Sequence, residues 1–418
     1  MLLGLVGKPS CGKSTFFKAA TLAEVEIAPY PFTTIKSNHG IGYVRIECID
    51  KEFNVQCNPN KGFCISHQRF VSIELMDVAG LVPGASEGKG LGNQFLDELR
   101  EADAFIHIVD ASGKTDTLGK QTEGHDPCDD VKFLEEELDA WYYNLLLKVW
   151  KGFSRKAELE NTKFSEAVAK QFSGLKVKEE QVKKVLLKLA LSEKPSGWNE
   201  KQLKNFASEL RKISKPMIIA ANKCDDEDAV KNIENLKNNF KEHLIIPCSA
   251  DSELALRQAA KLGLIEYIPG EKDFKVLKPS EIKGNEKQEV SQQTHPSVVE
   301  LKTITGQQKQ ALDKIRKNVL DKFEFGTGIQ QILNTGIFDL LKYIAIFPGS
   351  PNKLKDSKGR ILPDCFLLPS GSTALDFAYH LHTDFGKNFI RAIDARTKMA
   401  WGKDHVLKHR DILEIISR

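Results

Sequence analysis

The residues with the best-defined chemistry lie at the amino terminus, where Gly7 and Gly12 bracket a short loop. Lys13 and Ser14 follow directly, and the resulting Gly-x4-Gly-Lys-Ser spacing is typical of a loop that binds nucleotide phosphates. The glycines let successive N–H groups face one anion, Lys13 supplies a point charge, and Ser14 offers a hydroxyl to Mg²⁺. The residues predicted to contact the phosphates are Lys8, Pro9, Ser10, Cys11, Gly12, Lys13, Ser14, Thr15 and Gly80.

A magnesium ion is predicted beside this loop. Asp77 ends a predicted strand over residues 69–76, where a carboxylate can hold Mg²⁺ through water. Thr34 follows an extended segment fixed by two prolines, so it can close on Mg²⁺ and the γ-phosphate when triphosphate is bound. Thr33 is the alternative to Thr34. The predicted metal ligands are Ser14, Thr34 and Asp77.

The position after Gly80 bears on how a water molecule could be activated. Many GTPases have a glutamine there to orient the attacking water, but this chain has Leu81, which can neither donate nor accept a hydrogen bond. Hydrolysis is therefore slow, or another residue, a cation or a partner orients the water. The glycine-rich stretch that follows predicts a second switch. The predicted switch residues are Thr33, Thr34, Leu81, Gly84, Gly88 and Gly90.

A second motif, Asn-Lys-Cys-Asp, follows the predicted strand over residues 216–221. The carboxylate of Asp225 can accept from guanine N1–H and from its exocyclic amine, a pair of donors that adenine lacks. Asn222 can reach the base edge, and the stem of Lys223 can cover the base face. After the next strand, the Ala250 N–H is suited to guanine O6. The predicted guanine-binding residues are Asn222, Lys223, Asp225, Ser249 and Ala250.

Three cysteines and a histidine, Cys48, Cys57, Cys64 and His67, lie within twenty residues. Four such soft ligands could hold Zn²⁺. No Cys-x2-Cys pair is present, however, and Cys48 adjoins a predicted strand, so reduced structural cysteines are the favoured interpretation. Metal binding by this set is left open.

The elements that must position these residues can also be predicted. Near-continuous apolar runs at 104–110 and 216–221 are typical of parallel strands covered on both faces, which indicates an α/β fold. From 129 to 214 apolar residues recur at helical spacing, which predicts two or more long helices in an antiparallel hairpin. Strand patterns around one helix after residue 347 predict a small α+β module.

Composition indicates the cellular compartment and the kinds of partner to expect. The chain has 418 residues, 41% of them hydrophobic, and no apolar run reaches the roughly 20 residues that cross a bilayer. Its eight cysteines suit a reducing compartment, so we expect a cytoplasmic protein. Residues 151–215 contain 16 Lys or Arg against 8 Asp or Glu, and residues 341–418 contain 13 against 8. These basic segments permit RNA contact.

Taken together, these motifs resemble those of a known family. They are the phosphate loop, Thr33-Thr34, Asp77-Val78-Ala79-Gly80-Leu81, the segment 84–92 and Asn222-Lys223-Cys224-Asp225. With them the chain resembles the Obg superfamily GTPases, most of all archaeal-type relatives of the YchF branch. The tail, through residues 368–379 and 392–397, resembles a TGS domain, which is a β-grasp module.

The resemblance implies a Ras-like P-loop NTPase fold with helical insertions, a C-terminal TGS domain and a translation-linked role with the ribosome or RNA as partner. The expected segments are a GTP-binding domain over 1–128, 215–251 and a closing helix at 326–346, helical insertions at 129–214 and 252–325, and the TGS domain at 347–418. Obg-type proteins also lack the catalytic glutamine, which agrees with Leu81.

Two departures from the family pattern matter. YchF proteins have a degenerate base motif and prefer ATP, whereas Asn222-Lys223-Cys224-Asp225 is intact here, so GTP is the predicted substrate. Several Obg relatives have an asparagine linked to potassium-assisted catalysis where this chain has Ser10, which argues against potassium activation. The predicted function is a Mg²⁺-dependent GTPase switch. The alternatives are an ATPase of the YchF type and an RNA-binding adaptor with negligible turnover.

Overall fold

Strands in this chain form where β-branched and apolar residues run together between turn residues, and helices form where apolar residues recur every three or four positions. The computed structural model describes residues 1–21, 39–78, 98–159, 163–277, 304–350 and 354–418. The described strands are β1 (Leu2–Val6), β2 (His39–Glu47), β3 (Phe63–Ile65), β4 (Gln68–Asp77), β5 (Ala104–Asp110), β6 (Met217–Asn222), β7 (Leu244–Pro247), β8 (Ile265–Glu266), β9 (Lys275–Val276), β10 (Tyr343–Pro348), β11 (Phe366–Pro369), β12 (Phe389–Asp394), β13 (Ala400–Trp401) and β14 (Ile412–Ser417).

The described helices are α1 (Lys13–Thr21), α2 (Pro127–Leu159), α3 (Phe164–Gln171), α4 (Glu179–Lys188), α5 (Glu200–Ser214), α6 (Ala229–Asn239), α7 (Ala250–Lys261), α8 (Gly306–Ile315), α9 (Ile329–Asn334), α10 (Ala374–Leu381) and α11 (Thr383–Lys387). The chain divides into two units. The first comprises Met1–Glu24 and Leu75–Ile332, and the second comprises Val25–Glu74 and Leu333–Arg418. Among the described helices, none has both the length and the apolar character needed to cross a membrane.

The first unit is built on a parallel sheet in the order β1-β5-β6-β7, with the last residues of β4 beside β1. Every residue of β1, β5 and β6 is buried. Such strands are covered by helices on both faces, which explains their apolar sequences. Parallel alignment brings the carboxyl ends of these strands to one edge of the sheet, and ligands bind at that edge in open α/β sheets.

Four helices, α2 to α5, connect β5 to β6, and α2 packs against α5. Aromatic rings fill the space between them: the Trp198 ring lies 5.4 Å from Trp150, 5.2 Å from Phe164 and 5.0 Å from Phe206. Burial of such rings stabilises helices that would be marginal alone. The predicted insertion of two or more helices beginning at residue 129 is thus a four-helix segment whose first helix begins at Pro127.

Beyond β7, the chain forms α7, the short β8–β9 hairpin and α8. The closing helix expected over 326–346 is shorter than its sequence suggests. Helical backbone ends at Leu340, Lys342 adopts a left-handed conformation with φ of +56°, and β10 begins at Tyr343. The left-handed residue stops the helix, and the following β-branched and aromatic residues suit a strand.

In the second unit, five strands form a mixed sheet in the order β11-β10-β14-β12-β13. Phe377 of α10 packs with Leu368 and Leu413 of the sheet in one buried cluster. Thr373 caps α10 by accepting from the Asp376 N–H at 3.2 Å. The same unit contains β2 and most of β4, with β3 paired antiparallel to β4. Strands around one main helix give the small α+β module expected from the tail sequence.

Candidate nucleotide site

The predicted phosphate loop lies between β1 and α1, at the carboxyl edge of the parallel sheet. Gly12 has φ of +94°, and a Cβ there would lie 2.2 Å from Nδ2 of Asn222. A Cβ on Gly7 would lie 2.5 Å from the carbonyl oxygen of Ile108. Ser10 also adopts a left-handed φ of +61°. The loop therefore needs glycine at both ends because neighbouring elements approach its backbone closely.

The Lys8 side chain lies inside the protein. Its ammonium donates to the carbonyl of Thr115 at 2.6 Å and pairs with Asp130 of α2 at 2.8 Å. Burial raises the pKa of Asp130, although Lys8 and His125 act in the opposite direction. Lys8 therefore anchors the loop through its side chain, and only its backbone N–H remains for a phosphate. Sequence reasoning did not identify this anchor, because Asp130 lies more than a hundred residues away.

Lys13, Ser14 and Asp77 come together as the motifs predict. The Ser14 hydroxyl donates to Oδ2 of Asp77 at 3.1 Å. The Lys13 ammonium lies 3.5 Å from Oδ1 of Asp77, which is buried and accepts no hydrogen bond among the described residues. Carboxylate and hydroxyl oxygens are ligands that Mg²⁺ prefers, and a buried oxygen without a partner is costly unless a cation or donor occupies the space. Ser14 and Asp77 thus fit a magnesium ion.

Asn222, at the end of β6, joins the two motifs. Its side-chain NH₂ donates to the carbonyl of Cys11 at 2.9 Å, and its Oδ1 accepts from the Ala250 N–H at 3.0 Å. The amide is buried, and both of its polar ends contact protein atoms. Asn222 therefore holds the phosphate loop against the segment that precedes α7. This differs from the base-edge contact expected from sequence, and it also engages the N–H predicted for guanine O6.

Lys223 follows in a left-handed conformation, and its ammonium pairs with Oδ2 of Asp110 at 2.7 Å. Asp110 ends β5 and is fully buried. Burial alone would raise the pKa of Asp110, but hydrogen bonds from Lys223, Ser112 and Thr115 outweigh it and lower that pKa. The pairing fixes the end of the Lys223 side chain. Asp110 was missed from sequence, although its place at a strand end, like that of Asp77, was an available signal.

Asp225 is exposed, and one of its oxygens accepts from the Ser249 hydroxyl at 2.8 Å. Ser249 is buried and caps α7 by accepting from the Ser252 N–H. A cavity of about 400 Å³ adjoins Asp225 and is lined by residues of α7 and α8. The carboxylate is thus oriented by Ser249 and exposed, as a group that contacts a ligand must be, whereas the cavity lies on the side of α7 and α8 and includes no residue of the phosphate loop.

The remaining predicted residues have simpler placements. Burial raises the pKa of Cys11 to about 11, so this thiol stays neutral and packs inside the loop. Pro9 and Thr15 are partly exposed. The other predicted residues lie outside the described part of the chain; they are Thr33, Thr34, Gly80, Leu81, Gly84, Gly88 and Gly90.

A parallel sheet with a phosphate loop after its first strand and an Asn-Lys-x-Asp motif after a later one defines the P-loop GTPase class of fold. Comparison with known families agrees. Residues 2–134 match a family model described as 50S ribosome-binding GTPase, residues 220–350 match the Obg-like GTPase YGR210-like, G4 motif-containing domain, and residues 353–417 match the TGS domain.

Whole proteins are similar as well. The chain is 48% identical to the GTP-binding protein MJ1332 of Methanocaldococcus jannaschii over 417 residues, covering 100% of this chain and 99% of that protein. It is 27% identical to the ribosome-binding ATPase YchF of Buchnera aphidicola, covering 93% and 86%. The crystal structure of a GTP-binding protein from Pyrococcus horikoshii matches with a TM-score of 0.76 at 37% identity, covering 100% of both chains.

The chain belongs to the Obg-like GTP-binding proteins of the YGR210 and MJ1332 type, which are related to YchF and have a C-terminal TGS domain. The resemblance and the fold class inferred from the motifs are thereby confirmed.

Proposed function

We propose that this protein binds GTP with Mg²⁺, hydrolyses it to GDP and phosphate, and changes state with the nucleotide as a translation-associated switch. The observation that carries the proposal is the position of Asn222, which ties the Cys11 carbonyl of the phosphate loop to the Ala250 N–H beside the base motif. This link holds the predicted phosphate loop directly against the segment that precedes α7, next to the predicted base-reading motif, and so supports a single nucleotide site.

In the proposed complex, the Lys13 ammonium and the backbone amides of residues 8–15 hold the phosphates. Ser14 and Asp77, together with Thr34, would hold the Mg²⁺. A bound Mg²⁺ would neutralise negative charge that develops on the phosphate oxygens during hydrolysis. Because Asp77 already contacts Ser14 and Lys13, these side chains need little rearrangement on binding.

Guanine is read by Asp225, whose carboxylate is oriented by Ser249. Lys223 supports the base with its stem while its ammonium remains on Asp110. Asn222 acts as a positioning residue, and the Ala250 N–H is available to guanine O6 once it exchanges its bond to Asn222. Specificity for guanine follows because adenine lacks the two donors that the Asp225 carboxylate accepts.

Leu81 leaves the attacking water without the usual glutamine, so we propose that intrinsic hydrolysis is slow and that a partner accelerates it. The ribosome or its RNA is the proposed partner. Support comes from the basic residues of segment 151–215, from the TGS domain and from the name of the related ribosome-binding ATPase YchF.

Calorimetry on the full chain tests the site. Lys13→Ala should abolish detectable binding of GDP and GTP, while Lys18→Ala, an exposed lysine on the same helix, should leave affinity unchanged. Asp225→Asn should weaken GTP binding relative to xanthosine triphosphate, because an amide favours the xanthine edge. Unchanged affinity in Lys13→Ala would remove the loop assignment, and unchanged base preference in Asp225→Asn would remove the base assignment.

The relation to YchF favours ATP as a second candidate substrate, because that relative is named a ribosome-binding ATPase. Direct competition between GTP and ATP for binding to the wild-type chain separates the two substrates, and we expect the chain to bind GTP more tightly. Hydrolysis measured with and without ribosomes then separates a switch from an RNA-binding adaptor. We expect phosphate release to rise when ribosomes are added, whereas an adaptor would bind ribosomes with no change in turnover.

A further inference from the structure

The second unit contains a cluster of metal-ligating side chains that the nucleotide site does not use. It is formed by Cys48, Asp50, Cys57 and Cys64, whose ligand atoms all lie within 4.8 Å of one another. The sulfurs of Cys48 and Cys57 are 3.6 Å apart, and the Cys64 sulfur lies 3.8 Å from Oδ2 of Asp50. Three of the four residues are buried, and Cys64 is partly so.

These separations match the geometry of a tetrahedral zinc site. With Zn–S bonds of about 2.3 Å, sulfurs at two corners of a tetrahedron stand about 3.8 Å apart. A disulfide would need about 2.05 Å between sulfurs, so Cys48 and Cys57 are free thiols at a spacing suited to sharing a metal.

Local backbone structure brings the four residues together although their spacing lacks a Cys-x2-Cys pair. The Cys48 N–H donates to the carbonyl of His67 at 2.7 Å, which joins the two ends of the segment. Between them, a 3₁₀ turn (Ile49–Phe53) carries Asp50, and the β3–β4 hairpin carries Cys64. Ser66 and His67 both have positive φ, as the two central residues of a tight hairpin turn between paired strands do.

Asp50 is fully buried, and its position is fixed from two sides. Oδ2 accepts from the Cys57 N–H at 3.0 Å, and Oδ1 lies 2.9 Å from Nδ1 of His67. Metal ligands are commonly oriented by a hydrogen bond from a side chain outside the coordination sphere, and contact between a carboxylate and a histidine is a frequent form of this arrangement. This assigns the ligand role to Asp50 and the orienting role to His67.

A buried arginine beside the cluster gives an independent indication that negative charge belongs there. Arg69 is 1% exposed, and its guanidinium lies 3.6 Å from the Cys57 sulfur and 2.9 Å from the carbonyls of Leu362 and Pro363. No carboxylate in the described part of the chain pairs with it. A buried cation needs an anionic partner, and a metal centre with thiolate ligands supplies one.

We propose that Cys48, Asp50, Cys57 and Cys64 bind one Zn²⁺ as a closed structural site. Thiolates select zinc over magnesium, so this site does not compete for the ion at Asp77. Four protein ligands leave no position for a substrate, so the metal cross-links the segment between residues 48 and 64 and takes no part in hydrolysis. Arg69 balances part of the excess negative charge of the ligands.

Metal analysis of the full chain, expressed with zinc in the medium and desalted, tests the proposal. We expect about one zinc ion per wild-type chain. Cys57→Ser should retain at least tenfold less zinc, whereas Cys128→Ser, a buried cysteine of the first unit, should retain the wild-type amount. Asp50→Ala should lose more zinc than His67→Ala, and the reverse order would overturn the assignment of Asp50 as a ligand.

Cys57→Ser could misfold for other reasons, so wild-type protein provides the second measurement. Removal of zinc by a chelator should make three thiols reactive, and titration with Co²⁺ should give the visible absorption of a tetrahedral thiolate site. Wild-type protein that contains no zinc and binds neither Zn²⁺ nor Co²⁺ would overturn the proposal, as would a Cys48–Cys57 disulfide found by mass spectrometry. Binding of GDP to the same samples reports on the nucleotide site separately.

Discussion

Replacing Asn222 by alanine is the sharpest test of how the nucleotide site is assembled. The wild-type amide donates to the Cys11 carbonyl at 2.9 Å and accepts from the Ala250 N–H at 3.0 Å, and all three groups are buried. Alanine removes both bonds and adds no group that could replace them. The phosphate loop then loses its direct tie to the start of α7.

The magnitude follows from the cost of a buried polar group without a partner, which is about 1–3 kcal/mol. In the free variant, the loop can relax and expose the Cys11 carbonyl to water. To bind phosphates it must return to its wild-type shape with that carbonyl buried and unpaired. The Ala250 N–H adds nothing to this cost in the complex, because guanine O6 accepts its hydrogen bond. Nucleotide affinity should therefore fall by about 5- to 150-fold.

The assay is calorimetry with GDP and with xanthosine diphosphate. Because the loss arises at the phosphate loop, we expect the same fold-reduction for both nucleotides. Asn232→Ala is the matched control: its amide also donates to a backbone carbonyl, that of Ala111, at 2.9 Å, but it lies on α6 outside the site. This variant should lower the free energy of unfolding and leave affinity unchanged.

Two results would refute the reasoning. A reduction of less than about twofold in the Asn222 variant would mean that its hydrogen bond to the Cys11 carbonyl does not support the phosphate loop. A large reduction for GDP alone would mean that Asn222 contacts the base directly, as the sequence first suggested.

Gly12→Ala should abolish GDP binding in a fluorescent-nucleotide assay, because the new Cβ would lie 2.2 Å from Asn222 and φ is +94°. Asp77→Asn should raise the Mg²⁺ concentration that supports half-maximal GTP binding by about tenfold, with GDP binding in chelator unchanged. Lys223→Ala should lower the free energy of unfolding at neutral pH by about 1–2 kcal/mol, because buried Asp110 loses a cation that is itself partly exposed. The lowered pKa of Asp110 stabilises the folded protein at pH values above the pKa that Asp110 has in the unfolded chain. This stabilisation is lost as the pH falls through the folded-state pKa. Because the variant lacks the Lys223 partner, it should also unfold at a higher pH on acidification.

The sequence predicts the loop after β1 well, because the structure of this loop depends on local residue types. The phosphate loop needs glycine, lysine and serine at fixed spacing, and the strand before it is read from its apolar run, so both can be recognised without tertiary information. The tail module is predicted for the same reason, since its strands and capped helix have local signals.

Long-range pairing of side chains has no such signal. Lys8 contacts Asp130, and Lys223 contacts Asp110, each across more than a hundred residues. Only the packing of the sheet and α2 brings these charges together. The end of the closing helix was missed because a single left-handed residue, Lys342, stops it, and lysine gives no advance indication of that conformation.

The contact between Lys8 and Asp130 has a practical consequence for building chimeras of this family. Asp130 lies in the first turn of α2, so the root of the helical insertion supplies the counterion of a phosphate-loop lysine. If the insertion is exchanged between relatives at a junction after residue 130, this ion pair is retained. If the junction lies before Asp130, the pair is retained only when the donor insertion also begins with a carboxylate. A graft without one would leave the buried Lys8 ammonium at the phosphate loop without its counterion, and the resulting loss of nucleotide affinity would be mistaken for a property of the transplanted helices.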